Sequence, residues 1–269
     1  MSTRRGPVWL FVPGSHPDRF AKAVATGADQ VICDLEDAVA PDTKGAAREA
    51  VGAWLSQGGE AWVRVNPVGS AWHRDDLRAI AGRAGLRGVI VPKAERARDL
   101  HEVHDLAGAP VLALVETAAG VERIPDILGA DGVEGVALGT VDLALDLGCD
   151  EDSGLIAQVR HRAVLASRAA GSAAPVDGVT RSLTDAARAR TDAEQSRRDG
   201  FAGKLAVHPA QVEPIRAGFA PTPEQVAWAR AVVEADGRSG GAATVVGGGL
   251  VDLPVVERAR RILGVGEEP

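Results

Sequence analysis

The chain has 269 residues, 45% hydrophobic and 25% charged, with a formal net charge of −7. That length and composition fit a soluble globular protein with a sizeable core, built as one large α/β domain or two smaller ones. The negative balance argues against a nucleic-acid groove or an anionic membrane as main partner, and two cysteines, Cys33 and Cys149, argue against a disulfide framework. No apolar run approaches the roughly 20 residues of a membrane span. The opening "MSTRRGPVWLFVPG" has too few apolar residues before Pro13 for a secretory signal, so a cytoplasmic location is expected.

Short apolar runs recur along the chain. In order they are "VWLFV" ending at Val12, "QVICD" near Cys33, "AWVRV" ending at Val65 and "GVIV" ending at Val91. They continue with "PVLALV" ending at Val115, "GVALG" ending at Gly139, "APVDG" near Asp177 and "KLAV" ending at Val207. Near-continuous Val, Ile, Leu and Ala, rather than alternation, is the pattern of strands covered on both faces. Between them lie segments of helical spacing, such as "AERARDLHEVHDLAG" (94–108) and "LTDAARARTDAEQSRRDG" (183–200), the latter closed by Gly200. Strands alternating with helices imply parallel βαβ units, and eight of them suit a (β/α)8 barrel. A doubly wound nucleotide-binding sheet would need G-x-G-x-x-G after its first strand, and the chain has no such spacing.

The barrel is expected to occupy residues 1–219 and a C-terminal helical extension residues 220–269. "TPEQVAWARAVVEAD" opens with Thr222, Pro223 and Gln225, the signature of a capping box. A flexible Gly-rich tether, "GRSGGAATVVGGG", is expected before a last helix in "LVDLPVVERARRILG". Such a tether either closes the fold or lets the last helix reach over a barrel mouth, its own or a neighbour's.

In barrels of this kind the active site is built just past the C-terminal ends of the strands. Those positions hold Pro13-Gly14-Ser15, then Asp34, Glu36 and Asp37, then Arg64 and Asn66, then Lys93. Glu116, Asp142, Asp177 and His208-Pro209 complete the rim. Glu116 and Asp142, carboxylates from neighbouring strands without His or Cys beside them, suit a hard divalent cation such as Mg²⁺ better than zinc. The bland alternative is an ion pair with Arg64 or Arg123. Arg64 sits between valines, where a charge is costly unless paired. It suits a substrate carboxylate or enolate oxygen, or else a buried ion pair with Glu36 or Asp37. "PGSHPDRFAKA" offers a helix N-terminus with Ser15, Arg19 and Lys22, a combination suited to phosphates. "HEVH" (101–104) lacks the extra residue of a zincin pair and reads as a solvated helix face. Asp146, Asp150, Glu151 and Asp152 read as a solvated acidic loop.

The motifs "LFVPGSHPDRFAKA", "VICDLEDAVAPDTKGAAR", "VRVNP", "VPKAE", "ALVETAAGV", "DLALDLG", "GKLAVHPAQV" and "GLVDLPVVERARRIL" occur in this order. Together they resemble the citrate lyase β-subunit-like proteins of the HpcH/HpaI aldolase superfamily, near the malyl-CoA and citramalyl-CoA lyases, over roughly residues 8–263. The resemblance implies a (β/α)8 barrel, usually homotrimeric, with Mg²⁺ on Glu116 and Asp142. It implies that Arg64 holds the substrate carbonyl and that Glu116 touches substrate as well as metal. It further implies that Ser15, Arg19 and Lys22 meet the CoA phosphates, and that Asp252 reaches a neighbouring subunit's site as acid/base. The implied reaction is reversible cleavage of a 3-hydroxy-acyl-CoA into acetyl-CoA and a 2-oxo acid. A thioesterase on the same scaffold, an aldolase on substrates without CoA and a carrier-protein-dependent citrate lyase β subunit are the competing readings. One departure stands out: "GTVDL" has Val141 where the family usually has an acidic residue before its second metal ligand.

Overall fold

The computed structural model describes residues 6–264. The chain divides into two compact units, Met1–Phe219 and Ala220–Pro269. The first is a closed barrel of eight strands: β1 (Val8–Pro13), β2 (Gln30–Asp34), β3 (Ala61–Arg64), β4 (Leu86–Val91), β5 (Val111–Val115), β6 (Val133–Leu138), β7 (Val176–Asp177) and β8 (Gly203–Ala206). Every ladder is parallel, and β8 returns to pair with β1.

Alternation within the apolar runs now has a meaning. In β5 all five residues are buried, but Leu112 and Leu114 belong to the barrel interior while Val111, Ala113 and Val115 belong to the layer between strands and helices. Successive side chains point to opposite faces of a strand, so a strand clothed on both faces reads as continuously apolar. The lower interior holds Trp9 and Trp62, with ring centroids 5.3 Å apart. Trp62 Nε1 donates to Gln30 Oε1 at 3.0 Å, and Gly88 makes room, since a Cβ there would lie 2.2 Å from the Trp62 ring. The ladder is uneven: β7 has two residues, with one register partner in β6 (Ala137↔Val176) and two in β8.

Helices 97–107 and 186–199 end in left-handed glycines, Gly108 (φ 65°) and Gly200 (φ 99°). The second starts three residues later than its periodicity predicts, because Asp185 caps it by accepting from the Arg188 N–H at 2.9 Å. Among the described residues no helix is long and apolar enough to cross a membrane.

The second unit holds the helix Pro223–Ser239, with both hydrogen bonds of the Thr222/Gln225 capping box. The expected flexible tether is instead structured. Strands β9 (Thr244–Val246) and β10 (Gly249–Val251) pair antiparallel around Gly247 (φ 58°) and Gly248 (φ 83°). Two consecutive positive-φ residues make a hairpin turn whose twist matches its strands, which glycine permits at no steric cost. The last helix, Leu253–Leu263, packs Val256 and Ala259 with Ala229, Val232 and Val251 into a small core of its own.

Candidate active site

A cavity of about 270 Å³ opens at the C-terminal ends of the barrel strands, with Phe11, Leu114, Leu138 and Leu205 among its walls. Its charged lining comprises Asp34, Asp37, Arg64, Glu116 and Asp142. Glu116 follows directly from β5, so the rigid, fully buried strand brings its carboxylate to the cavity. Its Oε1 accepts from the Lys93 backbone N–H at 2.9 Å, and the Lys93 ammonium stands 3.7 Å away. Burial, then repulsion from Glu36, lifts the Glu116 pKa from 4.5 to about 7; Lys93 opposes the rise and Asp142 adds to it. Gly139 lies against the same group, since a Cβ there would fall 2.3 Å from Glu116 Oε2.

Asp142 lies in the first turn of the helix Thr140–Leu147 and lines the cavity with Glu116. Among the described residues its carboxylate has no hydrogen-bond or ion-pair partner. Two carboxylates facing one cavity, one lacking a counter-charge and the other with its pKa lifted by burial, fit a hard divalent cation. No cluster of three or more His, Cys, Asp or Glu is poised for a metal among the described residues. Two carboxylates on one cavity would leave the remaining positions of a small divalent ion to water or substrate, a common arrangement for such an ion.

Arg64 ends β3 opposite Asp34, its register partner in β2. Nε and Nη2 donate to the two oxygens of Asp34, both at 2.7 Å. Nη1 stands 2.9 Å from Glu36 Oε2 and 3.7 Å from Asp37, and the guanidinium lies 4.8 Å from the Phe11 ring centroid. Burial disfavours its charge, but Asp34 and Glu36 more than compensate and raise its pKa further. The buried ion pair expected with Glu36 or Asp37 is thus present, with Asp34 as its main member. Arg64 also lines the cavity. Asp34 is held in turn by the backbone N–H groups of Glu36 (3.0 Å) and Ala38 (3.1 Å).

Other rim residues are structural. Asn66 is tied to Asp76 and the Leu35 carbonyl. Asp177 is enclosed by Arg160, Ser196 and Lys204 and is not part of the cavity lining. His208 caps the turn Pro209–Gln211 in a capping box. His101 is exposed beside Asp105, and His104 Nδ1 lies 2.9 Å from the Ala109 carbonyl oxygen. In the acidic loop Asp146 accepts from the Ala118 N–H and Glu151 pairs with Arg181. Arg123 reaches the Glu95 carbonyl rather than Glu116.

Ser15, Arg19 and Lys22 lie outside the cavity lining, on the segment after β1. Ser15 Oγ is 3.0 Å from His16 Nδ1, and Lys22 pairs with Asp18 at 3.4 Å in the open. The helix Phe20–Ala25, which Ser15 and Arg19 precede and Lys22 belongs to, has six residues and no side-chain cap. Asp252 caps the last helix of the second unit, accepting from the Val255 N–H at 3.4 Å. The sequence reading missed Gly139, whose only signal is its place two residues before Val141, and Asp34 as the principal partner of Arg64.

The family model "HpcH/HpaI aldolase/citrate lyase" matches residues 8–209. The chain belongs to this family. A citrate lyase subunit beta-like protein of Mycobacterium tuberculosis is 38% identical over 265 residues, spanning 96% of this chain and 94% of the relative. A (3S)-malyl-CoA thioesterase of Cereibacter sphaeroides is 36% identical over 268 residues, spanning 96% and 93%. The crystal structure of CitE from Mycobacterium tuberculosis in complex with magnesium, acetoacetate and coenzyme A superposes with a TM-score of 0.86 at 36% identity, covering 96% of this chain and 97% of that one. Family members thus include proteins named for citrate lyase and for thioester hydrolysis.

Proposed function

We propose that this chain is a Mg²⁺-dependent carbon–carbon lyase acting on CoA esters. It cleaves or forms a 3-hydroxy-acyl-CoA such as malyl-CoA, citramalyl-CoA or citryl-CoA, with acetyl-CoA and a 2-oxo acid as the other side of the reaction. The observation that carries this reading is the pair Glu116 and Asp142 facing one cavity that Arg64 also lines. The related CitE bound to magnesium, acetoacetate and coenzyme A supports it.

Glu116 and Asp142 would hold the ion. When bound, Mg²⁺ supplies Lewis-acid polarisation and a lowered pKa for a hydroxyl oriented against it. Arg64 stabilises the oxygen that becomes negative as the carbon–carbon bond parts, and its clamp on Asp34 means that little reorganisation is needed. The apolar walls exclude water from the enolate. Ser15, Arg19 and Lys22 meet the CoA phosphates. Asp252, in a homotrimer, serves a neighbouring copy's cavity, giving a proton to the enolate carbon or taking it in reverse.

The second reading is a thioesterase on the same scaffold, favoured by the malyl-CoA thioesterase among the relatives. Product analysis separates the two. Malyl-CoA, citramalyl-CoA and citryl-CoA are each incubated with the protein in Mg²⁺ and in EDTA. A lyase yields acetyl-CoA and a 2-oxo acid; a thioesterase yields free CoA and a hydroxy acid. Full activity in EDTA would reject the metal role.

A further inference from the structure

A third carboxylate, Glu36, stands next to the candidate cation site without joining it. It is buried, yet it is not part of the cavity lining, although Asp34, Asp37 and Ala38 around it are. Lys93 holds it: Nζ lies 3.0 Å from Glu36 Oε1 and 3.7 Å from Glu116 Oε1, between the two groups. The ammonium side chain is 42% exposed, whereas the two carboxylate side chains are 4% and 1% exposed, so Lys93 shields them from the open side. Its backbone supplies a second sign of purpose. Lys93 has φ 50°, the only positive φ at a non-glycine residue among those described. A side chain kept in the left-handed region, where glycine is easier, persists only where its surroundings demand it. Here the same twist aims the Lys93 N–H at Glu116 and the ammonium at Glu36.

We propose that Lys93 is a positioning residue that claims Glu36 and so limits the cation site to two carboxylates, Glu116 and Asp142. This rests on the metal reading above. Ligand number and charge set cation affinity and selectivity: a third carboxylate favours tight binding and the larger, oxygen-rich shell of Ca²⁺, whereas two leave Mg²⁺ with positions open for substrate. Without the ammonium, Glu36 Oε1 is released toward Glu116 while Oε2 stays beside Arg64 Nη1.

The test is calorimetric titration of Mg²⁺ and of Ca²⁺ into the full-length protein without substrate. Lys93→Met is expected to bind Mg²⁺ about tenfold more tightly than the wild type, with a larger gain for Ca²⁺. Lys93→Arg, which keeps the charge, is expected to match the wild type. The double variant Lys93→Met/Glu36→Gln is expected to return to wild-type affinity, because the released carboxylate is gone. Unchanged or weaker binding in Lys93→Met overturns the proposal. So does a double variant as tight as Lys93→Met, since loss of the positive charge alone then explains the gain. Lys93→Gly, free of the left-handed penalty, carries the same expectations if Lys93→Met folds poorly. A wild type that binds neither ion sinks the metal reading itself, a different failure.

Discussion

Two charge clusters lie at strands of the same barrel, one around Asp177 at the end of β7 and one around Glu116 just past β5, and they differ in what they leave unpaired. Around Asp177, burial alone would raise the carboxyl pKa, but Lys204, Arg160 and a hydrogen bond from Ser196 overcome it and lower the value. Both oxygens are taken, by Arg160 at 3.1 and 2.8 Å and by Ser196 at 2.6 Å, and no oxygen faces the cavity. Around Glu116 the same residue types give the opposite result: one ammonium serves two carboxylates, and Asp142 has no partner among the described residues. A compensated carboxylate holds a fold together; an under-compensated one beside a cavity is where chemistry is to be sought.

That contrast can be broken most sharply by removing Glu116. Glu116→Gln is expected to abolish cation binding by calorimetry and to lower kcat/KM for a CoA ester by at least about 10²-fold. Retained activity would equate it with Asp177. Arg64→Lys is expected to cost about 10²-fold in kcat, because an ammonium cannot reproduce the bidentate clamp on Asp34 while still offering Nη1. Steady-state kinetics checks it. Asp177→Ala is expected to destabilise the barrel by about 3–5 kcal/mol in denaturant unfolding, since it takes the carboxylate from buried Lys204 and leaves half-buried Arg160 with Asp199 as its remaining ion pair.

The two clusters should also respond to pH with opposite signs. The Asp177 pKa is lowered by folding, so its stabilisation is present above the unfolded value and fades as pH falls through the folded one. The Glu116 pKa is raised from 4.5 to about 7, so its contribution is intact below about pH 4.5 and is lost as pH climbs toward 7. In chelator, Glu116→Gln should therefore match the wild type at low pH and exceed it above pH 7, by up to about 3 kcal/mol. Equal stabilities at both ends would remove the distinction. The smallest expected effect is the control: His101→Ala, on an exposed helix face, should leave cation affinity and stability within about 0.5 kcal/mol of wild type.

Much of the barrel was legible because a strand buried on both faces must be apolar at nearly every position, and eight such runs stood apart in the chain. The hairpin in the second unit escaped because five glycines between 240 and 249 resemble a tether unless the Gly247-Gly248 pair is read as a turn. At the site, residue types and strand-end positions pointed to Glu116, Asp142 and Arg64. They could not tell Asp177 from Glu116, since which donors reach a carboxylate is decided by how the flanking helices pack: Arg160 comes from the helix before β7 and Ser196 from the helix after it. The Asp34–Arg64 clamp was hidden for a related reason. It depends on the register between β2 and β3, which neither strand's composition specifies.

The brevity of β7 has its own consequence. With one register partner on one side and two on the other, the barrel wall has a thin seam there, and backbone pairing alone would let it breathe. Arg160, Ser196 and Lys204 bind the Asp177 side chain across that seam, acting as rivets where the weave runs out. Amide exchange should therefore be slow at Val176 and Asp177 despite the sparse ladder, and should quicken there before anywhere else in the wall once the rivets are cut.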